Sequence, residues 1–376
     1  MDPTQLIGPA SPLGYPAPFW FVELFKVLGF TLHMVPMNVW YAGLVLAVLL
    51  HWRGGKHGRN LLIRLMKQMP IVVALGVNLG IVPLLFTQVA YYRAFYPATI
   101  LMAWPWLGVI GLLTVAYYGV YLYSYGLRDD GARMTPLKRA AGWVSALLFV
   151  VVGFIFANGF SLMTNVGAWP SLWQGTSVDG APLGIALNTA DPTLWPRWLL
   201  MFGLALTTTA AYVTVDTGFF AGGETSDYRQ WAANFALKLY TVGMAWFAAA
   251  GAWYVFGAWP AANRDLMLGW PLAVLTILTA AAPGLPWLLI LAQRRGVTRT
   301  LALLTGLAQL AVLALNAVSR QVVQNAELGR FLDVGGEPVN VQWSPLAVFL
   351  VLFVAGLGVV FWMVSKVVEA SRVPAK

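Results

Sequence analysis

The sequence predicts an all-α, polytopic membrane bundle of about nine transmembrane helices, with the N-terminus outside and the C-terminus cytoplasmic. Three observations carry this. Of the 376 residues, 59% are hydrophobic and only 10% are charged, against about 25% charged in a typical soluble domain. Apolar runs of about 20 residues or more recur along the whole length, each long enough to cross the roughly 30 Å hydrocarbon layer as a helix. The basic residues fall in short clusters between those runs, on alternate loops, which is the positive-inside pattern. So little charge cannot cover a soluble fold of this size. That excludes an ordinary soluble enzyme, a disordered protein and a nucleic-acid-binding domain, despite the formal net charge of +9.

The chain reads as one integral membrane domain, 1–376. Residues 1–16, MDPTQLIGPASPLGYP, are Pro-rich and lack a basic n-region, so no cleavable signal peptide is expected. Residues 17–27, PFWFVELFKVL, read as a short amphipathic helix at the interface, and Glu23 and Lys26 argue against its deep burial. A nine-span bundle over 28–366 follows, with spans expected at 28–51, 69–92, 98–124, 140–164, 198–221, 236–258, 269–293, 300–322 and 344–366. A cytoplasmic tail, 367–376, closes the chain.

Orientation rests on the loops. Segments 52–68, 125–139, 222–238 and 294–300, with the C-terminal end from Lys366 onward, carry 17 of the 23 Lys and Arg residues. The other side holds Lys26, Arg93, Arg197, Arg264, Arg320 and Arg330. The basic side is read as cytoplasmic. The longest external segment, 166–197, is rich in Gly, Pro and Trp and carries Asp179 and Asp191; a second external loop spans 323–343. There is no large soluble domain and no internal repeat of the kind that builds secondary transporters.

The chemistry available is narrow. There is no cysteine, which excludes disulfides, iron–sulfur clusters and covalently attached c-type haem within this chain. The three histidines are His33, His51 and His57. His33, in GFTLHMVPMNVW, lies in the outer half of the first span. An imidazole there ligates haem iron or another metal, pairs with a carboxylate, or caps the kink at Pro36. His51 and His57 belong to a basic face near lipid headgroups. Met34 and Met37 read as packing. Asn78 and Gln88 surround Pro83 and can satisfy the carbonyl that the proline leaves unpaired, or bond between helices. Asn158 and Asn316 read the same way. Arg320, near the outer interface, either snorkels to the surface or neutralises an anionic group such as a haem propionate. Asp216, near the inner end of the fifth span, is a proton-entry group or an interfacial acid. No acid is placed at mid-membrane depth, which argues against a proton- or cation-coupled transporter. Neither a Walker A motif nor G-x-G-x-x-G is present.

Four segments, in order, resemble subunit I of the cytochrome bd quinol oxidases. LHMVPMNVWYAGLVLAVLL is similar to that family's first span, where a His followed by V-P ligates the high-spin haem b. ALGVNLGIVPLLFTQ is similar to its A-M-G-V-A-T-G segment, and LLFVVVGFIFANGF to A-L-W-I-L-V-A-N-G-W. Residues 319–321, SRQ, are similar to its G-R-Q-P-W motif near the outer end of the eighth span. The resemblance covers most of the chain and implies nine spans with the N-terminus out. It implies one haem b with His33 as its iron ligand and Arg320 beside a propionate.

The departures from the family pattern are informative. The low-spin haem ligand falls near Leu200 or Met201, where no histidine stands, so that haem would need Met201. The acid before G-R-Q-P-W is replaced around Asn316 and Ala317. The two glutamates of the third span are missing from MAWPWLGVIGLLTV, and the quinol-binding loop shrinks to PAANRDLMLGW. Direct quinol oxidation and oxygen reduction by this chain are therefore not expected, and no catalytic residue is assigned. The expected role is a membrane subunit of a respiratory electron-transfer complex in a bacterial inner membrane. Its partners would be other membrane redox subunits or a c-type cytochrome, with quinone or lipid in grooves left by the missing haems. The alternatives are a haem-free scaffold of such a complex and a transporter lined by Asn78, Gln88 and Asn158.

Overall fold

The computed structural model describes residues 2–128 and 133–370. Among these, nine helices are long and apolar enough to cross a membrane. They are α1 (Phe19–Arg53), α2 (Gly55–Ala90), α3 (Ala103–Gly126), α4 (Pro136–Thr164), α5 (Leu194–Phe219), α6 (Ser226–Ala258), α7 (Leu272–Arg295), α8 (Arg299–Leu328) and α9 (Trp343–Ala370). The chain is a multi-pass membrane bundle, as its hydropathy predicts. We call the side carrying the α1–α2 junction the basic face and the side carrying the N-terminal segment the opposite face.

Three of the four helix starts at the basic face are chemically alike, α2 with its Gly54 cap being the exception. Thr135, Thr225 and Thr298 each accept a hydrogen bond from the backbone N–H three residues on, at the heads of α4, α6 and α8. Each hydroxyl satisfies one of the N–H groups that a helix start leaves without an intrahelical partner. Prolines mark the breaks. Pro105 has no N–H to give the Leu101 carbonyl, and Ala186 N donates to that carbonyl instead, at 2.9 Å. The run predicted at 98–124 is accordingly two helices, Tyr92–Leu101 and α3.

α1 is the axis of the bundle, packing on α2, α4, α5 and α8. In its most apolar window 72% of residues are buried, against none in α9. α9 stands at the periphery and meets the rest through Phe349 and Phe353, which pack on Phe25 of α1. Close approach of α1 and α2 depends on Gly76 and Gly80, one turn apart on α2. A Cβ at Gly76 would lie 2.4 Å from the Trp40 ring, and one at Gly80 2.8 Å from the His33 ring. Among the described residues, strand structure amounts to one short hairpin, Ser177–Val178 with Ala181–Pro182.

Three expectations are corrected. Residues 17–27 do not form a separate interfacial helix, because α1 runs unbroken from Phe19. Lys26 is buried rather than interfacial, because Gln321 and Gln324 of α8 accept hydrogen bonds from its ammonium. The basic segment 52–68 is mostly not a loop: α2 begins at Gly55, so Lys56, Arg59, Arg64 and Lys67 decorate its first turns. Lys and Arg are good helix formers whose long stems reach the aqueous edge. Of the predicted tail, 371–376 lies outside the described residues, and 367–370 continues α9.

Candidate functional site

One face of α1 carries Lys26, Phe30, His33 and Met37. Their spacing of four, three and four residues stacks them along about three helical turns. All four line a cavity of about 260 Å³ between α1, α2, α3, α4, α5 and α8. From α8 the cavity receives Ala317, Arg320, Gln321 and Gln324, again at one-turn spacing, and from α5 Arg197 and Met201. The three residues singled out from the sequence, His33, Arg320 and Met201, thus share one cavity.

His33 Nδ1 lies 2.8 Å from the Gly76 carbonyl oxygen. A carbonyl only accepts, so Nδ1 carries the proton and donates, which leaves the Nε2 lone pair free. No hydrogen bond occupies Nε2 among the described residues. Metal-binding histidines are characteristically oriented in this way, by a backbone acceptor on the other nitrogen. Gly80 leaves the space in which the ring sits, and Trp40 meets it edge-on with centroids 6.4 Å apart. The remaining wall is apolar and aromatic, including Tyr41, Phe149 and Phe156. Among the described residues, no Asp or Glu lines the cavity.

The polar end of the cavity holds three cations. Arg197 pairs with Glu327 at 3.0 Å and donates to Tyr254 Oη at 3.1 Å. Arg320 lies between two aromatic faces, 4.4 Å from the Phe30 centroid and 4.8 Å from that of Phe160. Among the described residues it makes no ion pair or hydrogen bond. Lys26 lies over the Tyr91 ring at 4.5 Å.

These residues fit a haem b in three respects. One imidazole with a free nitrogen, that of His33, lines the cavity; its walls are apolar and aromatic; and cations that could meet propionates gather at one end. The residues do not supply a second imidazole. Met201 offers a thioether in the same wall, as do Met34 and Met37. No group of three or more His, Cys, Asp or Glu residues suited to a metal occurs among the described residues.

The other candidates fall elsewhere. His51 Nδ1 is 2.8 Å from Tyr123 Oη, and His57 packs on the Trp231 ring. Asp216 is ion-paired with Arg64 through two contacts of 2.8 and 3.0 Å, and Arg64 also reaches Glu224 at 3.2 Å. Asn78 is exposed and donates to Ala74 O of its own helix, and Asn316 donates likewise to Val312 O. Asn158 accepts from the backbone N–H of Asn188, tying down the 166–197 segment, where Asp191 accepts from Ser161 and Thr193. Asn78, Gln88 and Asn158 do not line this cavity. Lys26 and Arg197 were missed as site residues. For Lys26 the signal was present, since it stands seven residues before His33 and hence on its face. For Arg197 the partner, Glu327, lies 130 residues away and leaves no local trace.

No protein-family model matches the sequence, and no curated protein matches it. In structure the chain is similar to the bd oxidase from Geobacillus thermodenitrificans, with a TM-score of 0.68 at 13% identity, over 96% of this chain and 99% of that one. The likeness is one of fold, and it agrees with the resemblance read from the four sequence segments.

Proposed function

We propose that this chain is a membrane subunit of a respiratory electron-transfer complex, holding one haem b through His33 on a scaffold distantly related to the bd oxidases. The observation that carries this reading is the oriented imidazole of His33, proton on the Gly76 side and lone pair free, in a cavity with unpaired cations at one end. Haem b supplies one-electron chemistry when bound. The protein's part is to fix the His33 ring, to exclude water with the aromatic wall, and to meet negative charge with Arg320.

The chain has no oxygen-reducing site of its own in this reading. One imidazole and no lining carboxylate provide neither several redox centres nor a proton donor at the cavity. Electrons would pass to or from other membrane redox subunits or a c-type cytochrome docked on the opposite face. The basic face is cytoplasmic, by the distribution of Lys and Arg, and the membrane is the bacterial inner membrane. A pyridine haemochrome assay on protein purified with its native partners tests the reading. About one haem b per chain supports it. Absence of haem points to the haem-free scaffold.

A further inference from the structure

We propose that Lys26 and Gln324 bind a second carboxylate of the cavity's ligand, beside the one met by Arg320, so that the site selects a flat dicarboxylate. This rests on the haem b reading and specifies how its two propionates are held.

Lys26 is buried, yet no carboxylate pairs with it among the described residues. Its Nζ donates to Gln321 Oε1 at 2.5 Å and to Gln324 Oε1 at 3.0 Å. An ammonium has three N–H bonds, so one remains. Glu23, three residues earlier on α1, instead accepts from Asn325 Nδ2 at 2.6 Å and from Tyr91 Oη at 3.3 Å. Turning Oε1 of Gln324 to Lys26 leaves its Nε2 buried without a partner. Arg320 stands one turn before Gln324 on the same face of α8, its guanidinium stacked between rings with no acceptor. The remaining N–H of Lys26, the Nε2 of Gln324 and the Arg320 guanidinium thus gather at one end of the cavity without an acceptor.

The charges decide the ligand. Of the three cations lining the cavity, Arg197 is neutralised by Glu327. Lys26 and Arg320 are not paired. Buried Lys26 and half-buried Arg320 each lack a carboxylate in direct contact, with Glu23 and Glu327 acting on them only from a distance, so a ligand with two negative charges would complete both. The rest of the wall, aromatic and apolar, calls for a broad hydrophobic body. A neutral quinone would leave both cations unmet. A porphyrin with two propionates satisfies both cations, the Gln324 N–H and the free nitrogen of His33.

The test compares haemin with haemin dimethyl ester, which lacks both negative charges. Each is titrated into haem-depleted full-length protein in detergent, for the wild type, Lys26→Gln, Lys26→Arg and Arg320→Gln. Lys26→Gln removes charge but keeps a donor toward Gln321 and Gln324; Lys26→Arg restores the charge. The wild type is expected to prefer haemin, and Lys26→Gln to lose about tenfold of that preference, with Lys26→Arg recovering it. The haemin–Lys26→Gln complex should keep its His33-ligated absorption spectrum. Unchanged preference in Lys26→Gln, with haemin still bound, overturns this inference and leaves the haem reading standing. No uptake of haemin by the wild type overturns both. Circular dichroism and thermal melting of each variant show that loss of preference is not loss of fold.

Discussion

The Nδ1 atom of His33 donates to the carbonyl oxygen of Gly76, 2.8 Å away on the neighbouring helix. That bond sets the tautomer, the ring plane and the direction of the free nitrogen together. It exists because α2 presents glycine, not a larger residue, where α1 crosses it.

The first prediction concerns that crossing. In Gly80→Ala the new methyl meets His33 Cε1 and Nδ1 at 2.8 and 2.9 Å. The imidazole must move, at a cost of about 1–3 kcal/mol in packing. Haem content should fall severalfold while the protein still inserts. Gly108→Ala, where a Cβ meets nothing within 4 Å, should change neither property. Haem-to-protein ratio and the melting midpoint in detergent check both.

Met201 shares the cavity wall with His33. Among the described residues, His33 is the one imidazole lining the cavity, so a haem held there would be high-spin, and Met201→Leu, close to it in volume, should keep the haem and that spectrum. Conversion of a low-spin spectrum to a high-spin one by this substitution would instead identify the thioether as a ligand. Magnetic circular dichroism of the ferric protein distinguishes the two.

At the basic face, Arg64 joins α2 to Asp216 of α5 and to Glu224. The side chain of Asp216 is only 4% exposed. Asp216→Asn leaves the guanidinium with Glu224 alone and should destabilise by about 2–3 kcal/mol, less than a fully buried pair would lose because Glu224 remains. Haem content in the surviving folded fraction should be unchanged. Thermal melting with haem quantification checks this, and a large loss of haem without loss of stability would give Asp216 a role at the cavity instead.

Orientation is tested by reporter fusion. A fluorescent protein joined after the C-terminus should fluoresce, as it folds in the cytoplasm, and alkaline phosphatase joined in the 166–197 segment should be active. The reverse pattern would place the basic face outside.

Much of the fold was legible in the sequence, because hydropathy and loop charge are local signals, and nine spans follow from them. The boundaries were less legible. Lys26 was read as interfacial because a lone lysine among apolar residues gives no hint that glutamines 295 and 298 positions later receive it. The α2 start at Gly55 was hidden by a basic stretch that reads as loop but forms helix. His33, Met201 and Arg320, which the sequence singles out, line one cavity. What stayed hidden were the long-range pairings that sort the cations: Arg197 with Glu327, and Lys26 and Arg320 with no carboxylate.

The most direct test is the dithionite-reduced minus oxidised spectrum of the protein purified with its native partners, wild type beside His33→Ala. A b-type band equivalent to about one haem per chain is expected in the wild type. In the variant that band is lost, while expression, insertion and subunit association persist. An unchanged band in His33→Ala, or no haem in the wild type, would contradict haem ligation by His33.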